Sequence, residues 1–513
     1  MSLFREQFVR PAAQWLARDY PALAVDVFRV LVGVLSITFF IRLLVEFPEI
    51  SHPSGLIDHA LTQRIHWFTR VGLFHPWTPA WVIAGAYALG VVLSAAILVG
   101  FRIRTAAVGA LVIAASAYRW NFVAMYLDDA VVHLMLFWMI LLPAGRTLTV
   151  ERMGDGSWRN WGEERVSGVA VRALLINVCW IYFIAGIWKL DSIMWREGFG
   201  LFAAMKVEVA RMPDVWNASH LPFLRFSDYL VLVVEPILPL PMLLGGRWLR
   251  TAGAASFVVF NLFILTTLGI AWAILGLTCT IVLFLGEDLA RAYALRFGPA
   301  SEVDDAEASP PDKRGARRFN RTERAAVTFL LVLMTATARH IPVFGSLNEP
   351  AYAALWMVGV AQDYRLFNWI DRVAFRVRSD FQVTGPDGEA LALPDGAYPN
   401  RFRARLLQAY AHDIRWLLLP DEDRFALRLS IAQRHASWIC RAFDDPGTRV
   451  SIVSTIAPIQ PDNLDLTRFR TLRLADFECV APGSVSPEEG GVPVPAGWPH
   501  LQARFIQGLQ QID

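Results

Sequence analysis

Five ionisable side chains interrupt long apolar runs of this chain: Asp128, Asp129, His133, Lys189 and Glu235. An ionisable group at bilayer depth is costly and normally faces a cavity or a partner. Asp129 and His133 are four residues apart, hence on one face of a helix. A carboxylate so placed can orient an imidazole for acid–base work or help bind a metal. One histidine and two aspartates without a second histidine make a poor ligand set, so no metal is assigned. The plain alternative is that Asp128 and Asp129 complement the dipole at a helix N-terminus. Arg119, Trp120 and Asn121 lie just upstream and complete a polar cluster that could bind substrate. Lys189 and Asp191 close a later apolar run, where a lysine can act at a site or simply snorkel to the headgroups. Glu235 precedes Pro236 inside another run, and a buried carboxylate there must be paired or protonated. Asp26 and Arg29 share a helical face and read as a structural ion pair. Asn177 and Asn261 read as interhelical hydrogen bonders.

The elements that must hold these residues are membrane helices. The chain has 513 residues, 55% hydrophobic and only 18% charged, with a mean hydropathy of +0.39. Soluble domains carry about 25% charged residues. A span takes about 20 mostly apolar residues, and only a helix satisfies its own backbone in lipid. The runs predict spans near 25–47, 80–101, 105–125, 128–145, 170–189, 229–246, 251–267, 269–286 and 323–341. The first exceeds a signal-peptide core and has no small-residue cleavage site after it, so it reads as retained. The expected fold is an all-α polytopic bundle of about nine transmembrane helices with a small C-terminal α+β domain. Residues 1–20 form an amphipathic helix, either on the membrane surface or packed on the bundle. Residues 21–345 form the bundle, with a flexible cytoplasmic linker at 299–312. Residues 350–513 form the soluble domain, with strands at 375–378, 381–383, 450–453 and 472–474 and helix over 401–443, broken at Pro420-Asp421.

With a cytoplasmic N-terminus, twenty lysines and arginines fall in inside segments and eight in outside ones. That bias puts the C-terminal domain outside a plasma (inner) membrane. The net charge of +2, with no basic stripe, gives no reason to expect nucleic acid. The expected partners are the lipid bilayer and a secreted peptide or protein. Outside, Cys440 and Cys479 are either disulfide-bonded or two separate buried thiols. Cys179 and Cys279 lie in spans as packing residues. Lysine occurs only at positions 189, 206 and 313.

Three motifs carry a family resemblance. Val27-Phe28-Arg29-Val30-Leu31-Val32-Gly33 opens the first span. Gly100-Phe101-Arg102-Ile103-Arg104-Thr105 makes a short basic turn. Ile181 to Leu190 is followed by Trp195-Arg196-Glu197-Gly198. In order and spacing they resemble the HTTM (horizontally transferred transmembrane) domain, related to vitamin K-dependent gamma-carboxylases, over about residues 20–290. The resemblance implies a helical bundle, often with an extracytoplasmic domain, and a quinone-like lipid-soluble cofactor. It also implies a lysine base near a Trp-Asn segment, which Trp120-Asn121 resembles. No lysine stands there, and arginine does not deprotonate. Vitamin K-dependent glutamate carboxylation is therefore not expected. Two functions stand: a membrane-embedded enzyme acting on a lipid-soluble cofactor or an outer-face peptide, or a non-catalytic factor assisting maturation, export or assembly of a partner. For the topology, a cysteine introduced at Asp395 is expected to react with an impermeant maleimide in intact cells. Labelling at Asp312 instead would reverse the arrangement.

Overall fold

The computed structural model describes residues 10–297, 319–338, 345–360, 375–394, 421–481 and 484–487, except 126, 155–156, 208, 444 and 461–462. The molecule is mostly helical with a small sheet region. Helix α1 is Arg10–Ala17, α2 is Ala22–Val45 and α3 is His59–Ile65. Then come α4 (Ala80–Val99), α5 (Ile103–Trp120), α6 (Leu127–Leu141), α7 (Val169–Lys189) and the short α8 (Gly200–Ala204). Next are α9 (Leu221–Val234), α10 (Leu240–Leu244), α11 (Arg247–Thr267), α12 (Ala271–Cys279), α13 (Ile281–Phe284) and α14 (Gly286–Phe297). Helices α15 (Arg321–Thr337), α16 (Gly345–Val358) and α17 (Asp421–Cys440) follow.

Five helical segments are long and apolar enough to cross a membrane: α2, α4, α7, Ala218–Leu244 and α11. A sixth appears if Ala271–Phe284 and Gly286–Phe297, bent by 62°, count as one. The expected spans at 105–125, 128–145 and 323–341 form α5, α6 and α15, which are shorter or less apolar. The linker at 299–312 and residues 1–9 lie outside the described residues. Helix α7 is the spine of the bundle: 78% of its apolar window is buried, against 28% for α4. The outer side of α4 therefore presents Trp81, Leu89 and Val92 to the surroundings. At Gly33, α2 meets α4 so closely that a Cβ would stand 2.8 Å from the Leu98 Cα.

Asp26 and Arg29 lock one end of this bundle, both 0% exposed. Arg29 Nε donates to Asp26 at 2.9 Å. The other Asp26 bonds come from the Gly145, Arg146 and Thr147 amides at 2.6, 2.9 and 2.7 Å and the Thr147 hydroxyl at 2.9 Å. The Arg29 guanidinium donates to the Ile97, Leu98 and Leu148 carbonyls at 2.7, 2.6 and 2.8 Å. One i, i+3 pair thus closes the last turn of α4 and the loop after α6. Nearby, β1 (Asp19–Pro21) pairs with β2 (Arg165–Ser167), and Arg172 holds α1 through the Leu16 carbonyl at 3.1 Å.

After residue 374 the chain forms an antiparallel sheet in the order β4-β3-β5-β6-β7. The strands are β3 (Phe375–Thr384), β4 (Ala390–Leu391), β5 (Arg449–Pro458), β6 (Arg470–Ala481) and β7 (Ser484–Pro487). The two short strands expected at 375–378 and 381–383 are one ten-residue strand. The part of the predicted helical stretch at 401–420 lies outside the described residues. Helix α17 packs on the sheet, and the Cys440 and Cys479 sulfurs are bonded, with Cα atoms 5.7 Å apart. The same helix reaches the bundle. Ser430 donates to Asp58 at 3.2 Å, Arg434 to the Pro53 carbonyl at 3.2 Å and Arg441 to the Ser54 carbonyl at 2.9 Å. Leu427 and Ile431 belong to the bundle's own apolar core.

Asp26→Ala would leave a buried guanidinium unpaired and four donors without an acceptor. It is expected to destabilise the protein by about 3–5 kcal/mol in reversible unfolding from detergent. A loss under about 1 kcal/mol would show that the loop closes without the pair.

Candidate functional site

Lys189 and Glu235 meet inside the protein. The ammonium lies 2.7 Å from Glu235 Oε2, with side-chain exposures of 3% and 6%. A longer contact runs to the Ala185 carbonyl at 3.5 Å, and the Trp195 ring centroid is 5.3 Å away. Local sequence explains the meeting. Pro236 has no N–H for a regular helix, so α9 tightens into a 3-10 turn at Glu235–Ile237. Gly186, one turn before Lys189, lets that turn touch α7: a Cβ there would fall 2.3 Å from Pro236 Cγ. Bulkier residues at 186 would push Glu235 away from the lysine.

The segment after Lys189 folds around it. Ser192 caps a helical turn at Ile193–Arg196, accepting from the Trp195 amide at 3.3 Å. Trp195 is 1% exposed, and Gly200 sits against its ring. Asp228 on α9 accepts from the Leu201 amide at 2.7 Å and the Gly200 amide at 3.3 Å, tying α8 to α9. Past the end of α9, an open apolar crevice of about 310 Å³ is lined by Ile237, Leu240, Pro241, Leu244, Gly245 and Leu249, from the turn, α10 and the start of α11. It begins two residues past Glu235.

The other expected residues have different partners. Asp128 accepts from the Ala273 amide at 2.9 Å, capping α12, and from Arg42 at 3.4 Å. Arg42 also holds Glu46 at 2.9 Å and covers the Trp272 ring at 4.3 Å. Asp129 is fully buried one residue on. His133 Nδ1 lies 2.8 Å from the Gly359 carbonyl, just after α16. Arg119 donates to the Val71, Trp356 and Met357 carbonyls at 2.5, 2.8 and 3.0 Å. Trp120 donates to the Ser51 carbonyl at 2.9 Å and stacks on His59 at 3.9 Å. Asn121 donates to Ser51 Oγ at 2.9 Å and the Tyr87 hydroxyl at 3.1 Å. Arg119, Trp120 and Asn121 thus bind carbonyls and hydroxyls of the protein itself.

The structure brings Lys189 to Glu235 and builds Asp128 and His133 on other supports. Asn177 accepts from Trp138 at 3.0 Å and Asn261 from Tyr182 at 2.8 Å, joining α7 to α6 and α11. Sequence reasoning missed Arg42 and Asp228 and gave Gly186 and Trp195 no role beyond the motif. Arg42 and Glu46 are spaced i, i+4, and Asp228 stands seven residues before Glu235 on the same helical face. Those periodicities were the available signals. Among the described residues, no group of three His, Cys, Asp or Glu side chains is placed to hold a metal ion. No protein-family model, curated protein or solved structure matches the chain.

Two histidines beside this region are held neutral. Burial pushes His59 down to about 3, and burial likewise pushes His435 on α17 down to about 4. Their folded values lie below the unfolded value near 6.5. The stability they confer is complete above pH 6.5 and is lost as pH falls toward the folded values. The unfolding free energy is expected to fall between pH 6.5 and 4, by about 1.4 kcal/mol per pH unit for each histidine, and the melting midpoint with it. A midpoint flat across that range would contradict the burial of both rings.

Proposed function

We propose that this is a membrane-embedded enzyme with an architecture similar to the HTTM domain and the vitamin K-dependent carboxylases. Lys189 is its proton-transfer residue, and its substrate is a lipid-soluble, quinone-like cofactor or a peptide at the outer face. The observation that carries this is the buried 2.7 Å contact of Glu235 with Lys189, a residue inside the motif that bears the resemblance. A proton moved from the ammonium to the carboxylate turns the ion pair into amine and acid with no change in net charge. The amine is the form of lysine that acts as a base. No lysine stands beside Trp120, and Lys189 is the lysine that another span offers; it becomes an amine only when Glu235 takes its proton. The crevice beyond Ile237 gives an apolar tail a place to lie along the same segment.

In this reading α5, α6, α12 with α13, and α15 complete nine crossings. The N-terminus is cytoplasmic and the C-terminal domain extracytoplasmic, in the inner membrane. What supports the orientation is that α17 bonds to the loop beyond the far end of α2, opposite Asp26 and the arginine-rich loops.

The purified protein in air is expected to consume reduced vitamin K. Lys189→Arg, which keeps the charge but cannot serve as a base, should slow this at least about a hundredfold. No consumption by the native protein, with no quinone extractable from it, would leave the non-catalytic maturation factor as the better account.

A further inference from the structure

We propose that Asp228 is the positioning residue of the Lys189 site: it latches residues 190–204 as a lid over the Lys189–Glu235 pair. Its purpose rests on the reading of Lys189 as the proton-transfer residue, and its geometry rests on contacts alone. The pair is 3% and 6% exposed, so no substrate reaches it unless part of the protein moves. Helix α7 is the buried spine of the bundle and the segment of α9 carries Glu235, so neither swings aside without breaking the pair. The chain between them is different. It holds one four-residue turn, Ile193–Arg196, and the five-residue α8. Helical pieces this short have little stability of their own and open at low cost. Met194, Trp195, Phe199 and Phe202 turn into the protein, whereas Leu190 and Ile193 are 45% and 47% exposed.

Contacts run from Asp228 to the lysine. The Asp228 carboxylate is fully buried, and its two oxygens take the Leu201 amide at 2.7 Å and the Gly200 amide at 3.3 Å. Gly200 backs the Trp195 ring so closely that a Cβ there would fall 2.4 Å from Cδ2. The Trp195 centroid lies 5.3 Å from the Lys189 ammonium. Gly198 presses on α9 as well: a Cβ would fall 2.6 Å from Arg225 Cγ. Asp228 and Glu235 stand two turns apart on one helical face. The same face thus supplies the acid that takes the proton and the acid that closes the site. A closed lid also excludes water. Desolvation favours a neutral amine and acid over a pair of charges. Asp228 therefore acts through Trp195 and through the dryness of the pair.

The test uses the full-length protein in neutral detergent and the water-soluble amine reagent trinitrobenzenesulfonate. The chain has three lysines, so modification is read at Lys189 by peptide mass. Asp228→Leu, which removes both acceptors, should raise the rate at Lys189 at least about tenfold by populating the open lid. Asp228→Asn keeps an oxygen for the Leu201 amide and should stay within about threefold of the native rate. Cys179, buried in α7, reports general loosening and should stay closed to an impermeant maleimide in every variant. Turnover of reduced quinone, read on the same preparations, should fall with Asp228→Leu and persist with Asp228→Asn. Should Asp228→Leu not accumulate, Gly200→Ala displaces Trp195 from its other side and carries the same comparison. Equal Lys189 reactivity in native and substituted protein, or a rise matched by Cys179, would overturn the latch. A native protein without turnover whose Lys189 still answers to Asp228 would refute the proton-transfer reading and leave the lid standing.

Discussion

A charge withdrawn from water and from lipid headgroups must meet an opposite charge or a set of dipoles, and two such meetings organise this bundle. Asp26 and Arg29 form the first, both completely buried. Between them they satisfy three amides, a hydroxyl and three carbonyls, most of them in loops that hydrocarbon could not solvate. The second pair, Lys189 and Glu235, shows a different logic. It ties no loop. It joins the end of the most buried helix to a proline-tightened turn of another, and a tryptophan and a glycine contact pack around it. The first pair has many dependents and reads as architecture. The second has few.

The membrane character was legible because hydrocarbon imposes it on composition: α2, α4, α7 and α11 are long apolar helices where the runs predicted them. The Asp26–Arg29 pair was legible from its spacing alone. So was the role of Asn177 and Asn261, since an amide inside a span has little to bind except a neighbouring helix. The function of Asp128 was not legible. Its two readings, helix-end charge and site residue, differ only in which helix end it faces, and the end it caps is that of α12, 145 residues later. The lysine–glutamate contact is likewise set by Gly186 and Pro236. They are 50 residues apart in sequence and touch only in the fold.

The end of the bundle opposite Asp26 is covered by helix α17. Helix α17 brings leucine and isoleucine into the bundle core and bonds to the loop at 53–58. The segment before it, ending at Gly359, accepts from Arg119 and neighbours His133. The polar residues at the ends of α5 and α6 are thereby covered by chain that comes more than 200 positions later. His59, stacked on Trp120, is buried as well, and its burial keeps it neutral.

On the proposed function, the Lys189–Glu235 pair is kept for chemistry and not for stability. Replacing a buried ion pair by apolar side chains of similar size is commonly neutral or stabilising. The decisive measurement is therefore made on the double variant Lys189→Met/Glu235→Met, with melting midpoint and turnover of reduced quinone read on the same preparation. The account predicts a midpoint at or above the native value together with loss of turnover. A double variant that turns over quinone at the native rate would contradict it.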